Sequence, residues 1–214
     1  MDIGKHLHDN RVRRGIALSQ IARSTKLSTT TLQHIERNDF GRLPGGIFIR
    51  GYLRAFATEV GVNPDDVVRA YHAACLKHGQ QKQLGEDMIW GAGIYLADSK
   101  EEAMRRLEPA HDERFKWFAP FGFVRYADEQ GRTWGSPGAP AKTPTLKDGV
   151  AQKAWFCGTP KEVIEGIKSI EAKYPGLDSF MIHWAEGLGP KEFKEQLRWF
   201  AKDVMPAFRG ARAA

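Results

Sequence analysis

In residues 3–14, Ile3, Leu7, the Asn10/Val12 pair and Arg14 fall in one helical register with charges on the other side, which predicts a first helix. The stretch ALSQIARSTKLSTTTLQHIERNDF then predicts two short helices. The first starts at Ser19 and runs to about Lys26; a turn follows at Leu27, and Ser28 caps a second that reaches about Arg37. Ile21, Ala22, Leu27, Leu32 and Ile35 fall where two crossing helices bury them, and the small Ala22 permits close approach. Pro44, Gly45 and Gly46 break the chain before a fourth helix, with Phe48, Tyr52, Leu53 and Phe56 in its core register. Asn63 caps a fifth helix with Pro64 at its first position and Val67, Val68 and Tyr71 facing inward.

The pattern then changes. Residues 77–87, KHGQQKQLGED, hold one sizeable apolar residue, Leu84, and read as a linker. WGAGIYLADSKEEAMRRL pairs a strand, about Gly93–Ala97, with a helix whose start is a Ser99/Glu102 capping box and whose inner face carries Ala103 and Leu107. DERFKWFAPFGF continues as helix up to Pro120, and the Pro- and Gly-rich residues 127–152 read as a long excursion over a mouth or surface. A strand Lys153–Cys157, a helix Pro160–Lys173 capped by Thr159 and Glu162, a strand Ser179–Trp184 and a last helix Pro190–Val204 complete the chain. Strands alternating with helices at this spacing imply βα units and parallel pairing.

Composition divides the chain in the same place. Of its 214 residues and net charge of +6, residues 1–80 carry 12 Lys/Arg against 7 Asp/Glu, whereas residues 81–214 carry 20 against 19. All six Trp lie in the second part. The front is a basic body suited to a polyanion; the back is neutral and rich in large aromatics. Cys75 and Cys157 are the only cysteines, which supports neither a disulfide framework nor a zinc site. No apolar leader precedes the first helix, and no run approaches the ~18 apolar residues of a membrane span, so a cytoplasmic protein without a membrane partner is expected.

The paired helices resemble the lambda-repressor-like helix-turn-helix superfamily, and NDFGRLPGGIFIRGYLRAFATEVGVNPDDVVRAY is similar to the amino-terminal domain of RodZ-type proteins. The resemblance covers residues 3 to about 75 and implies an all-α five-helix domain over 1–76, with duplex DNA as partner. The second helix of such a motif enters the major groove by its amino-terminal residues, here Thr29, Thr30 and Gln33, with Arg37 further along. Thr contacts a thymine methyl and Gln pairs with adenine, while Arg11, Arg13, Arg14, Arg23 and Lys26 are placed to meet phosphates. The alternative is that Thr29–Thr31 only start the helix and the arginines form a solvated face. The RodZ likeness implies a different partner, the actin-like protein MreB, docked on exposed Arg50, Tyr52 and Arg54. RodZ-type proteins continue into a basic juxtamembrane stretch and a membrane span, which this sequence does not show.

CGTPKEVIEGIKSIEAKYPGLDSFMIHW together with EQLRWFAKDVMPAF resembles the carboxy-terminal end of bacterial luciferase-like flavin-dependent monooxygenases, over about residues 88–210. The implied fold for 88–214 is an α/β segment equivalent to the last part of a (β/α)8 barrel. A whole barrel takes roughly 250 residues and eight strands, so an incomplete one is expected, with no catalytic residue and no metal ligand of its own. Reduced FMN, with oxygen as co-substrate, is then a cofactor only if a second chain completes the barrel; none is expected on this chain alone. His183 and Trp184, near the end of a barrel strand, are the residues placed to line such a pocket, with Trp155 and Trp134 as further walls. Core packing is the alternative for each. Gly158-Thr159 opens a helix able to hold an anion, but its capping box accounts for it. Four readings remain: a DNA-binding module carrying an appendage, a monooxygenase completed by another chain, a RodZ-like docking domain, and a gene fusion without joint purpose.

Overall fold

The computed structural model describes residues 1–45, 47–118, 144–183 and 187–209. It is mostly helical with a small parallel sheet, and it divides into two compact units. The first runs Met1–Met88; the second holds the rest of the described chain apart from Gly176–Asp178.

In the first unit α1 (Ile3–Arg13), α2 (Leu18–Thr25), α3 (Thr29–Glu36), α4 (Ile47–Glu59) and α5 (Pro64–Lys77) enclose one core. Asp2 caps α1 by accepting from Lys5 N at 2.9 Å, and Ser28 caps α3 by accepting from Thr31 N at 3.0 Å. The start of α2 differs from expectation. Leu18, not Ser19, is its first residue, and the Gln20 side chain accepts the Ala17 N–H at 2.7 Å, so a reaching amide replaces the hydroxyl cap. Lys26, in the left-handed region at φ 61°, makes the tight turn between α2 and α3.

Ile21, Leu32, Ile35, Leu53, Phe56, Ala57 and Val60 are completely buried. On α4 the buried stripe runs Ile49, Leu53, Phe56 and Ala57, and Val60 just past its end continues it. Phe48 lies one position off that stripe, so it is 51% exposed and stacks on Tyr52 at 6.2 Å instead of entering the core as expected. Gly4 is where α1 meets α3 most closely: a Cβ there would lie 2.4 Å from the Glu36 carbonyl oxygen. Asn38, left-handed at φ 57°, ties the same junction by accepting from Gly4 N and donating to Asp2, both at 2.8 Å. In the 77–87 segment Leu84 and Gly85 are buried, and the Lys82 carbonyl accepts from His72 Nε2 at 2.6 Å.

The second unit is built on β1 (Ile89–Leu96), β2 (Trp155–Gly158) and β3 (Ser179–His183), all parallel, in the order β2-β1-β3. Helix α6 (Lys100–Phe118) follows β1 and runs unbroken through Pro109; α7 (Leu146–Ala151) precedes β2; α8 (Pro160–Lys173) joins β2 to β3; α9 (Pro190–Trp199) passes into a π-helical turn, Phe200–Val204. The expected 127–152 excursion falls partly outside the described residues, and its described end is helical. Thr145 and Asp148 cap α7 reciprocally, a signal concealed by the surrounding Pro and Gly.

The helices lie on both faces of the sheet. Trp155 lies across Gly93, where a Cβ would come within 2.1 Å of its ring, and on that face it meets His111 and Arg114 of α6. The next residue, Phe156, points to the opposite face, where a Cβ on Gly166 of α8 would lie 2.4 Å from its ring. In a barrel wall the strands follow chain order and the helices form one outer ring. Here the first strand stands in the middle and α6 and α8 are on opposite sides. The described strands therefore form an open, doubly covered sheet.

Candidate nucleic-acid interface

Helix α3 turns Leu32 and Ile35 into the core, and this orientation exposes the residues between them. Thr29, Thr30, Gln33 and Arg37 are all exposed, as are Arg23 on α2 and Lys26 in the turn. Arg23, Lys26 and Arg37 enter no ion pair among the described residues.

Arg11, expected to meet phosphate, is otherwise engaged. Its Nε donates to Glu36 Oε1 at 2.6 Å, its Nη2 to Glu36 Oε2 at 3.2 Å and its Nη1 to the Ile16 carbonyl at 3.1 Å. Burial works to raise the Glu36 carboxyl, but the bonds from Arg11 and then His8 outweigh it and hold it below its ordinary value. Arg14 is exposed and covers Gly61.

The alternative docking set is not displayed. Arg50 is 5% exposed and donates to the Glu86 carbonyl. Arg54 is paired with Asp65 at 2.7 Å, and Tyr52 is half-buried under Phe48.

A cleft of about 610 Å³ adjoins the exposed face of α3, lined by Lys5, His8 and Asp9 of α1, Leu18 of α2, and Gln33, Glu36 and Arg37. Lys5 and His8 were not candidates from the sequence. Their spacing of three puts them on one face of α1, but only the packing of α1 on α3 brings that face beside Gln33.

Residues 6–67 match the family described as a helix-turn-helix domain. The N-terminal unit is a helix-turn-helix domain. Its turn is the left-handed Lys26 between α2 and α3, and α3 is its second motif helix. The chain is also similar to the cytoskeleton protein RodZ of Streptococcus pneumoniae (strain ATCC BAA-255 / R6), 26% identical over 89 residues, which is 42% of this chain and 32% of that protein. It therefore spans about a third of this relative's length. Among solved structures, monooxygenase RslO1 from Streptomyces bottropensis is 20% identical with a TM-score of 0.48, over 74% of this chain and 45% of the other. The oxygenating constituent of 3,6-diketocamphane monooxygenase from the CAM plasmid of Pseudomonas putida, a type II Baeyer-Villiger monooxygenase in complex with FMN, is 17% identical with a TM-score of 0.47, over 72% and 45%.

Among the described residues of the second unit, those named for a flavin are engaged within the sheet and its helix cap. His183 ends β3 opposite Gly93, and its ring lies over Gly91, 3.2 Å from where a Cβ would stand. Trp184 and Trp134 lie outside the described residues. Trp155 is 3% exposed and serves as core. Gly158-Thr159 is spent on its cap, since Glu162 Oε2 accepts from Thr159 N at 2.9 Å. At the carboxyl end of β1, where open sheets of this kind take ligands, Gln196 of α9 is already bonded to Leu96: Leu96 N donates to its Oε1 at 2.7 Å and its Nε2 donates to Leu96 O at 2.9 Å. Tyr95 donates beside it to Glu192, which also pairs with Arg106 at 3.1 Å. Burial first, then Glu192, pushes the Tyr95 hydroxyl well above its ordinary range. Among the described residues, no group of three or more His, Cys, Asp or Glu is placed to hold a metal, and no helix is long and apolar enough to cross a membrane.

Proposed function

We propose that this chain is a duplex-DNA-binding, regulatory protein in which α3 enters the major groove, with a C-terminal α/β appendage that carries no self-sufficient monooxygenase activity. One observation carries the reading: Thr29, Thr30, Gln33 and Arg37, with Arg23 and Lys26 beside them, share an exposed face whose three cations have no ion-pair partner among the described residues. Unneutralised cations beside an exposed groove-sized helix suit a polyanion. The MreB-like docking alternative is weakened because Arg50 and Arg54 are occupied within the domain.

Phosphate contacts supply affinity and make it salt-dependent, while Thr29, Thr30 and Gln33 supply preference for A·T pairs. In the second unit FMN binding would require groups from another chain. The test is titration of fluorescent duplex with the whole chain at several salt concentrations, followed by selection from a random-sequence pool. Binding that falls steeply with salt and enriches A·T-containing sites supports the proposal. No binding, or affinity indifferent to salt, overturns it. A stoichiometric yellow complex with added FMN would overturn the account of the appendage.

A further inference from the structure

The cleft beside α3 has chemistry that reading of bases does not use. Lys5, one of its cations, pairs with Asp9 at 2.7 Å, and the Glu36 carboxylate that lines it pairs with Arg11 at 2.6 Å. Arg37 enters no ion pair among the described residues, and it lines the cleft together with Gln33, a member of the reading face. One more group there can become cationic. His8 is on α1 with its side chain 47% exposed, and its Nδ1 lies 3.1 Å from Glu36 Oε2 and 3.3 Å from Arg11 Nη2.

That single nitrogen has two incompatible neighbours. In the neutral ring with the proton on Nδ1, that nitrogen donates to Glu36 and Nε2 carries only a lone pair, which offers a phosphate oxygen nothing. In the protonated ring both nitrogens carry hydrogen, so Nδ1 donates to Glu36 and Nε2–H remains, with no partner among the described residues. A reading helix is flanked by backbone phosphates, and groups at its edge meet them rather than bases.

Resting on the reading of the domain as a duplex binder, we propose that His8 and Arg37 form a proton-dependent phosphate site at the edge of α3. His8 takes a proton from solvent on Nε2 as the duplex docks, keeps donating Nδ1–H to Glu36 and donates Nε2–H to a phosphate oxygen; Arg37 supplies the second contact. The charged groups around the ring are Lys5, Asp9 and Arg11 from α1 and Glu36 and Arg37 from α3, and Leu18 alone lines the cleft from α2. Glu36 steadies the imidazolium, and the two ion pairs keep the surrounding charge nearly balanced, so the arriving phosphate is the deciding anion.

The experiment is a titration of mixed-sequence fluorescent duplex with the full chain at about pH 6 and about pH 8, each over a range of salt. Wild type is expected to bind about five- to tenfold more tightly at the lower pH, with a salt slope steeper by about one there. His8→Gln is expected to bind with the same affinity at both pH values and with the shallower slope. His6→Gln, on the same helix but outside the cleft, keeps the wild-type profile. Circular dichroism melts establish that both variants are folded. If wild type binds equally at both pH values, or His8→Gln keeps the pH dependence, the phosphate site is refuted while DNA binding stands. If wild type binds no duplex at either pH, both this proposal and the reading beneath it are refuted.

Discussion

Glu36 holds Arg11 with both carboxylate oxygens, at 2.6 Å to Nε and 3.2 Å to Nη2, and so rivets α3 to α1. The pair is mostly covered, with side chains 14% and 10% exposed. Losing one partner leaves the other charged and only partly solvated, which costs about 3 kcal/mol. Glu36→Ala is therefore expected to lower the first unit's stability by about that amount. The measure is helical circular dichroism in denaturant; all six Trp belong to the other part of the chain, so their fluorescence should change little. The pair also has a pH signature. The folded carboxyl titrates below its ordinary 4.5, so its contribution is complete above that value and is lost as pH falls through the lower folded value.

For DNA, the exposed face makes separable predictions. Arg23→Ala and Lys26→Ala are each expected to weaken binding similarly for every sequence and to reduce the salt slope by about one. Gln33→Ala should leave the slope alone and relax preference at one base pair, a loss of about 1–3 kcal/mol of discrimination. Titrations against matched and mismatched duplexes distinguish the two patterns. A Gln33 variant that loses affinity uniformly would remove base reading from α3.

These contrasts mark what local sequence could and could not reveal. Helix α8 has the expected bounds because Thr159, Pro160 and Glu162 specify its start within four residues, and Ser28 does the same for α3. The exposed face of α3 was readable because Leu32 and Ile35 fix which way the helix turns. Strand order was not readable. Parallel partners are chosen across a whole crossover, so nothing near Ile89–Leu96 announces that it pairs with both later strands. Arg50 looked exposed because its acceptor, the Glu86 carbonyl, is 36 residues away. The same nonlocality hid Lys5 and His8, which become neighbours of Gln33 only once α1 packs against α3.

Gln196 acts as a short substitute strand. Opposite Gly93 the partner strand β3 ends, and three residues on, the Leu96 N–H and C=O are both met by one side-chain amide. Gln196→Leu keeps the bulk and removes both bonds, so it is expected to destabilise the second unit by about 1–3 kcal/mol. Gln196→Glu can accept from Leu96 N but turns an oxygen toward Leu96 O, so it should fare no better. Tryptophan fluorescence in urea reports the midpoint. A Glu variant as stable as wild type would show that the donated bond contributes nothing.

His111 gives the second unit an acid sensitivity of its own. The side chain is fully buried on α6, its ring 4.8 Å from Phe115 and edge-on to Trp155 at 6.2 Å. Burial lowers its proton affinity, and Asp112, 3.2 Å away but with a side chain 67% exposed, offsets only part of that. A histidine with a depressed folded value binds protons better when unfolded. Its share of stability is complete above the ordinary 6.5 and is lost as pH falls from there through the lower folded value. Tryptophan-detected unfolding should therefore move to lower urea on acidification through this window, before the carboxylates titrate. His111→Leu, neutral throughout, is expected to flatten that part of the profile even though it starts from a lower stability. An unchanged slope in the variant would assign the acid sensitivity to another group.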